Sequence, residues 1–229
     1  MRLWHRYRVV GIERVLAPGP MLIVGYHGRP VAHDLCMLQT VVLESTGVLP
    51  RAFIHAAVQQ VPVLGAVVEG MEFVTGGEDE LTRAVAEGAR LIVTPGGTRE
   101  GCRSSLERYR VDWGERLGYL KLAVRFGLPI VPTAGTGVDD TYLALNNGYA
   151  WGKRLDLPGR LPLWVGVGPW GLWPFSPPFP VRITTWVGEP IDVSGVDPED
   201  RGALLGAHAR VVAAVQGLLD RGRGVATDG

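Results

Sequence analysis

Short apolar runs, each followed by an amphipathic helical stretch, constrain this chain more than any other feature. Residues 21–26 (MLIVGY) follow a Pro-Gly-Pro turn and read as a buried strand, and residues 34–45 place Leu35, Leu38, Val41 and Val42 on one helical face. The rhythm repeats: a strand at 51–56, a short helix at 61–70, a strand at 71–75, a charged helix at 78–87 and a strand at 89–95. A helix at 114–126, ended by Gly127, leads into a strand at 129–137. Residues 180–191 alternate in the strand manner, and 203–219 close as an amphipathic helix. Strands alternating with helices predict an α/β fold, a single-domain sandwich over residues 1–229 whose mostly parallel central sheet is flanked by helices.

Residues 142–178 break this rhythm. They are rich in Gly, Pro and Trp and hold four of the seven tryptophans, so they predict an irregular aromatic insertion. Within the uncharged stretch 161–181, six prolines and three glycines rule out a spanning helix. Trp164, Trp170, Trp173 and Phe175 either press into a lipid headgroup region or line an acyl tunnel, or they plug a gap over the sheet. The end of the chain, 222–229, reads as a frayed tail.

At the other end, residues 1–20 form either an amphipathic segment lying on a membrane or an ordinary first element packed on the domain. This basic start lacks the continuous apolar stretch and small-residue cleavage site of a signal peptide. Charged residues are 20% of the chain and the formal net charge is zero, which gives no support to a nucleic-acid partner. Cys36 and Cys102 lie far apart and outside any Cys-x-x-Cys pattern. They read as reduced thiols of a cytoplasmic protein, with no metal site.

Two segments carry chemistry. In Tyr26-His27-Gly28-Arg29-Pro30-Val31-Ala32-His33-Asp34 a histidine stands where the first strand ends, the position at which open α/β sheets bind ligands. His27 and Asp34 read as a base and the carboxylate that orients it, or as hydrogen-bonded structural residues. In Pro95-Gly96-Gly97-Thr98-Arg99-Glu100 the two glycines let a backbone approach a ligand or supply N–H donors, and Arg99 offers a planar cation. The other reading of that segment is a tight turn with a surface arginine.

Together these segments resemble the lysophospholipid acyltransferase superfamily, the PlsC-type glycerolipid acyltransferases. His27 and Asp34 look like its Asn-His-x-x-x-x-Asp block, Pro95 to Arg99 like its Phe-Pro-Glu-Gly-Thr-Arg-Ser block, and Val131-Pro132 like its fourth block. Pro-Gly-Gly-Thr-Arg-Glu, the phrase YRVDWGERLGYLKLAVRFGLPIVP and the YHG after the first strand are most similar to one branch, the type-2 diacylglycerol acyltransferases and phytyl ester synthases. The chain departs from the usual pattern in having six residues between His27 and Asp34, in Gly96 where glycerol-phosphate enzymes have Glu, and in Gly76 where members that bind phosphorylated acceptors have Arg.

The resemblance implies an O-acyltransferase with His27 and Asp34 catalytic and Gly96, Gly97, Thr98, Arg99 and Glu100 binding substrate. It implies acyl-CoA or acyl carrier protein as the donor, a lipid acceptor, no further cofactor, and a peripheral position on the inner face of a membrane. The missing arginine at Gly76 points to a neutral acceptor such as diacylglycerol or a long-chain alcohol, with lysophosphatidic acid as the alternative. Among other classes, a hydrolase lacks its nucleophile elbow, because no serine stands in Gly-x-Ser-x-Gly. A lone Gly135-Thr136-Gly137 is weak support for a nucleotide fold, whereas a non-catalytic lipid-binding protein would share the pocket and the aromatic loop.

Overall fold

A computed structural model describes residues 2–53, 77–156 and 162–227. Its main sheet has six strands, in the spatial order β1 (Arg8–Val10), β9 (Thr184–Val187), β5 (Ile130–Thr136), β2 (Met21–Gly25), β4 (Arg90–Val93), β3 (Arg51–Ala52). The runs read as buried strands form its centre. Ile23 of β2 lies opposite Ile92 of β4 and Val131 of β5, both in parallel register. Parallel strands covered on both faces need apolar residues at successive positions, and every residue of β2 and β5 is buried. β9, and β1 parallel to it, run antiparallel to the other four strands, with Trp186 of β9 opposite Ala134 of β5.

The pleat divides β2 between two cores. Met21 and Ile23 face α2 (His33–Thr46) and meet Leu35, Leu38 and Val42. Leu22 and Val24 face the other layer, built from α3 (Glu78–Ala86), α5 (Gly118–Phe126) and the long α7 (Arg201–Thr227). α5 ends at Gly127, whose φ of +60° closes the helix in the left-handed conformation that glycine adopts without strain. α7 has the length and hydropathy of a membrane span over Arg201–Gly224, yet Leu204, Ala207, Val211, Val215, Leu218 and Leu219 are all buried in the core beneath it.

One alternative is decided here and two expectations change. Within the stretch 1–20, Arg8–Val10 is an edge strand parallel to β9, and α1 (Glu13–Leu16) follows it with Val15 buried against the α2 layer. That stretch is therefore an element of the domain. The aromatic insertion at 142–178 contains regular structure: β6 (Leu143–Ala144), β7 (Gly166–Gly168) and β8 (Gly171–Leu172) form an antiparallel sheet, and α6 (Gly148–Arg154) lies between β6 and β7. The tail read as frayed from 222 is helical as far as Thr227. The expected helix at 61–70 and strand at 71–75, with Gly76, lie outside the described residues. α4 (Gly97–Gly101) completes the helices of the main body.

Leu38 is fully buried at the centre of the α2 layer. Leu38→Ala should lower unfolding stability by about 2–5 kcal/mol, seen as an earlier urea midpoint at unchanged m-value.

Candidate active site

β2 ends at Gly25, and Tyr26 and His27 then leave the sheet at its carboxyl edge. The turn that follows is held from below. The Tyr26 hydroxyl donates to Asp139 Oδ2 at 2.5 Å, and Asp139 comes from the 3-10 turn Val138–Asp140 just after β5. Arg29 is fully buried against the same carboxylate: its backbone N–H donates to Asp139 Oδ1 at 3.3 Å, and its Nε stands 3.6 Å from that oxygen. Its Nη1 reaches Ser105 Oγ at 3.0 Å. Gly28 fits because a Cβ there would come within 2.4 Å of Val138. The loop carrying His27 is thus clamped to the end of β5 by a desolvated ion pair.

The Pro-Gly-Gly-Thr-Arg-Glu segment supports the loop from the other side. Glu100 is completely buried in α4 and gathers three hydrogen-bond donors and one ion-pair partner. Its Oε2 accepts from the His27 backbone N–H at 2.9 Å and from Trp113 Nε1 at 3.1 Å. Its Oε1 accepts from the Asp112 N–H at 3.0 Å and pairs with Arg103 at 3.1 Å. Burial raises the Glu100 carboxyl above its ordinary value, and the Arg103 guanidinium pulls it back. Arg103 also lies over the Tyr26 ring, 5.2 Å from its centroid. Gly96 faces this carboxylate so closely that a Cβ would stand 2.2 Å from Glu100 Oε2. The space beside residue 96, which a larger residue would need, is occupied by the side chain of Glu100.

His27 keeps partial solvent contact. Its Nδ1 is 3.1 Å from the Gly28 carbonyl oxygen. A carbonyl only accepts, so this contact places the proton on Nδ1 and leaves Nε2 with a free lone pair. Burial lowers the imidazole's pKa below the usual histidine value, which keeps the ring neutral at pH 7. Gly101 closes the site from beneath: a Cβ there would lie 2.5 Å from His27 Nδ1. Only glycine lets α4 approach the ring this closely.

Of the residues expected to act, the structure brings together His27, Gly96 and Glu100 and sets the others apart. Asp34 is fully buried in the first turn of α2, and neither carboxylate oxygen has a hydrogen-bond partner among the described residues. It is pressed against β5, where a Cβ on Gly135 would come within 2.2 Å of Asp34 Oδ2. The orienting contact expected from Asp34 is supplied by the Gly28 carbonyl. Arg99 is held by Asp112, its Nε donating at 3.0 Å and its Nη2 at 2.6 Å to Oδ2, with the pair about 40% exposed. The Gly97 N–H donates to Thr94 O at 3.0 Å and so is already used within the turn, while Thr98 faces solvent. Glu100, expected to touch substrate, is an internal tie instead.

The residues that sequence reading passed over are Asp139, Arg29, Arg103 and Trp113. One signal was available: the phrase beginning YRVDWG supplies Asp112 to Arg99, Trp113 to Glu100, and Tyr109, whose N–H donates to Asp139 Oδ2 at 2.8 Å.

No family model matches the chain. In sequence it is 29% identical over 224 residues to a Gallus gallus protein described as a DGAT1/2-independent enzyme synthesizing storage lipids, covering 96% of this chain and 61% of that one. It is also 29% identical over 158 residues to Bos taurus diacylglycerol O-acyltransferase 2, covering 62% of this chain and 42% of that protein. The chain spans about three fifths of the length of the storage-lipid relatives it matches. In fold it is similar to the crystal structure of the 1-acyl-sn-glycerophosphate acyltransferase PlsC from Thermotoga maritima, with a TM-score of 0.51 and 20% identity over 92% of this chain and 72% of that one. The likeness drawn from the two motifs therefore extends to most of the chain in sequence and in fold.

The Asp34 carboxyl is pushed up to about 7 by burial, from an ordinary value of 3.8. The folded chain therefore keeps a proton that the unfolded chain releases, and this group's stabilising contribution is lost as pH rises from about 4 to about 7. Asp34→Asn should gain stability relative to the parent between about pH 5 and about pH 8, read from urea midpoints. A difference that does not change with pH would show that Asp34 ionises normally.

Proposed function

We propose that this chain, similar to diacylglycerol acyltransferase 2 in sequence and to PlsC in fold, transfers a fatty acyl group from a thioester carrier to a lipid hydroxyl. The observation that carries this reading is the contact of His27 Nδ1 with the Gly28 carbonyl oxygen. With Nδ1–H bound to the Gly28 carbonyl, Nε2 faces outward as an acceptor from a ring that burial keeps neutral. The acceptor hydroxyl gives its proton to Nε2 as its oxygen attacks the thioester carbonyl. The tetrahedral oxyanion then collapses, the carbon–sulfur bond breaks, and the departing thiolate takes the proton back from the imidazolium. This reading assigns contact with the donor to Thr98 and Arg99, an exposed and a half-exposed residue of α4.

The donor in this reading is acyl-CoA or acyl carrier protein. The acceptor is a neutral lipid alcohol such as diacylglycerol, on the ground that Gly76 stands where phosphate-binding members have arginine. A lysophosphatidic acid acceptor is the second reading, favoured by the activity named for the PlsC structure. His27→Ala should reduce transfer by about 10²–10⁴-fold with unchanged circular dichroism. In the parent the acidic limb of kcat/KM should fall below the ordinary histidine value of 6.5. Product analysis over a panel of acceptors decides between the two acceptors, and a His27→Ala protein that retains transfer refutes the mechanism.

Contact with a lipid surface fits the aromatic insertion, which divides in two. Trp164 is buried, edge-on to Tyr142 with centroids 6.0 Å apart, and plugs the space beside α4 and α6. Trp170 and Phe175 project from the β7–β8 hairpin, 79% and 91% exposed. We read this hairpin as the membrane contact of a peripheral protein on the inner face. Trp170→Ser with Phe175→Ser should cut co-sedimentation with phosphatidylcholine vesicles several-fold and leave the unfolding midpoint in place. Unchanged sedimentation would remove the hairpin from this role.

A further inference from the structure

At the same carboxyl edge of the sheet as His27, beyond the end of β5, the structure holds a cavity of about 620 Å³ with a concentrated positive lining. Arg8, Arg108, Arg182 and Arg223 reach it from four separate parts of the chain, and Asp140 is the one carboxylate in its wall. Arg108 pairs with Asp140 at 3.4 Å. Among the described residues Arg8, Arg182 and Arg223 form no ion pair with a carboxylate. In a chain with no net charge, such a gathering is local and self-repulsive until an anion enters.

The lining is fixed by close backbone approaches. At Gly137, with φ of +84°, a Cβ would stand 1.9 Å from the Arg182 carbonyl oxygen, so only glycine lets the strand entering β9 lie against the end of β5. At Gly222 a Cβ would stand 2.4 Å from Trp186 Nε1, so the last turns of α7 sit directly on Trp186 and bring Arg223 to the rim. Arg223 lies over the Tyr109 ring at 5.3 Å, and Arg8 Nε donates to Thr184 Oγ1 at 3.0 Å. Tyr109 and Trp186 add two aromatic walls. The size lies within the range of small-molecule sites, and several guanidinium groups converging on one space match the oxygens of phosphoryl groups.

We propose that this cavity is a phosphoryl-binding subsite, which takes a phosphate monoester or diphosphate on a ligand whose reacting end lies at His27. The cavity wall is tied to the loop that carries His27: Tyr109 lines the cavity, and its N–H donates to the hydroxyl of the buried Tyr26, the residue before His27, at 3.1 Å. Two ligands of the proposed transfer carry such a group, a nucleotide-bearing thioester donor and a phosphorylated acceptor. In this respect the inference rests on the reading of the function above.

The test uses the full chain and Arg182→Gln with Arg223→Gln, both exposed positions. Calorimetric titration with coenzyme A and with short-chain lysophosphatidic acid separates the sources, and the His27→Ala protein is titrated alongside. The subsite is supported if the double variant binds one of these probes about tenfold or more weakly, with a shallower dependence of affinity on salt, while His27→Ala binds as the parent does. Loss confined to coenzyme A assigns the cavity to the donor, and loss confined to lysophosphatidic acid assigns it to the acceptor. Equal affinities of parent and double variant for both probes overturn the proposal, whatever the transfer activity. Binding that depends on the arginines in a protein with no transfer activity would keep the subsite and refute the acyltransferase reading.

Discussion

The candidate site depends on one buried carboxylate. Glu100 has no solvent contact, and its two oxygens join the His27 backbone, the Asp112 backbone, the Trp113 indole and the Arg103 guanidinium. A charge so placed is tolerable only because its lone pairs are met. These partners come from the end of β2, from just after α4 and from residues 112–113, so this carboxylate fixes where β2 ends relative to α4. A second buried pair, Arg29 with Asp139, fixes the same loop relative to β5. The loop carrying His27 is held between these two ties without resting on any regular hydrogen-bond ladder of its own.

The imidazole gains its orientation from this clamping. The Gly28 carbonyl can hold Nδ1 only because the loop is locked, and the loop is locked because Gly28, Gly96 and Gly101 leave room for Val138, Glu100 and the ring itself. The tautomer of the imidazole is thus a product of main-chain geometry, while burial is what disfavours its charged form. Asp34 contributes differently: buried beside Gly135 and without a side-chain hydrogen-bond partner among the described residues, it sits between α2 and the sheet.

The parts of the fold that were legible in the sequence are those whose burial is two-sided. β2 and the Leu91–Val93 part of β4 are unbroken apolar runs, β5 opens on Ile130 and Val131, and Gly127 marks the end of α5. The short edge strand Arg8–Val10 was not legible, because three residues, Arg-Val-Val, are too few to show either a strand or a helix period. The hairpins of the insertion were hidden by their Gly and Pro content. At the site, the motif placed His27 correctly at a strand end, but the direction of a side chain does not follow from spacing. Ala32, with φ of +51°, turns the chain before α2 and sends Asp34 into the interior. Within α4 successive residues lie about 100° apart around the axis, so Arg99 faces outward and Glu100 inward.

The pairing of β1 with β9 has a consequence for how the chain assembles. Arg8 lies in register with Thr184, so the first strand of the sequence finds its place only against one of the last. The inner strands β2, β4 and β5 complete their mutual contacts once residue 136 is available. On a ribosome the sheet would therefore grow from its middle while the N-terminal edge waited for some fifty further residues, and contacts of such sequence separation slow folding. Throughout that interval the free edge of β5 would be open to pairing with another chain, a hazard that ends when β9 arrives.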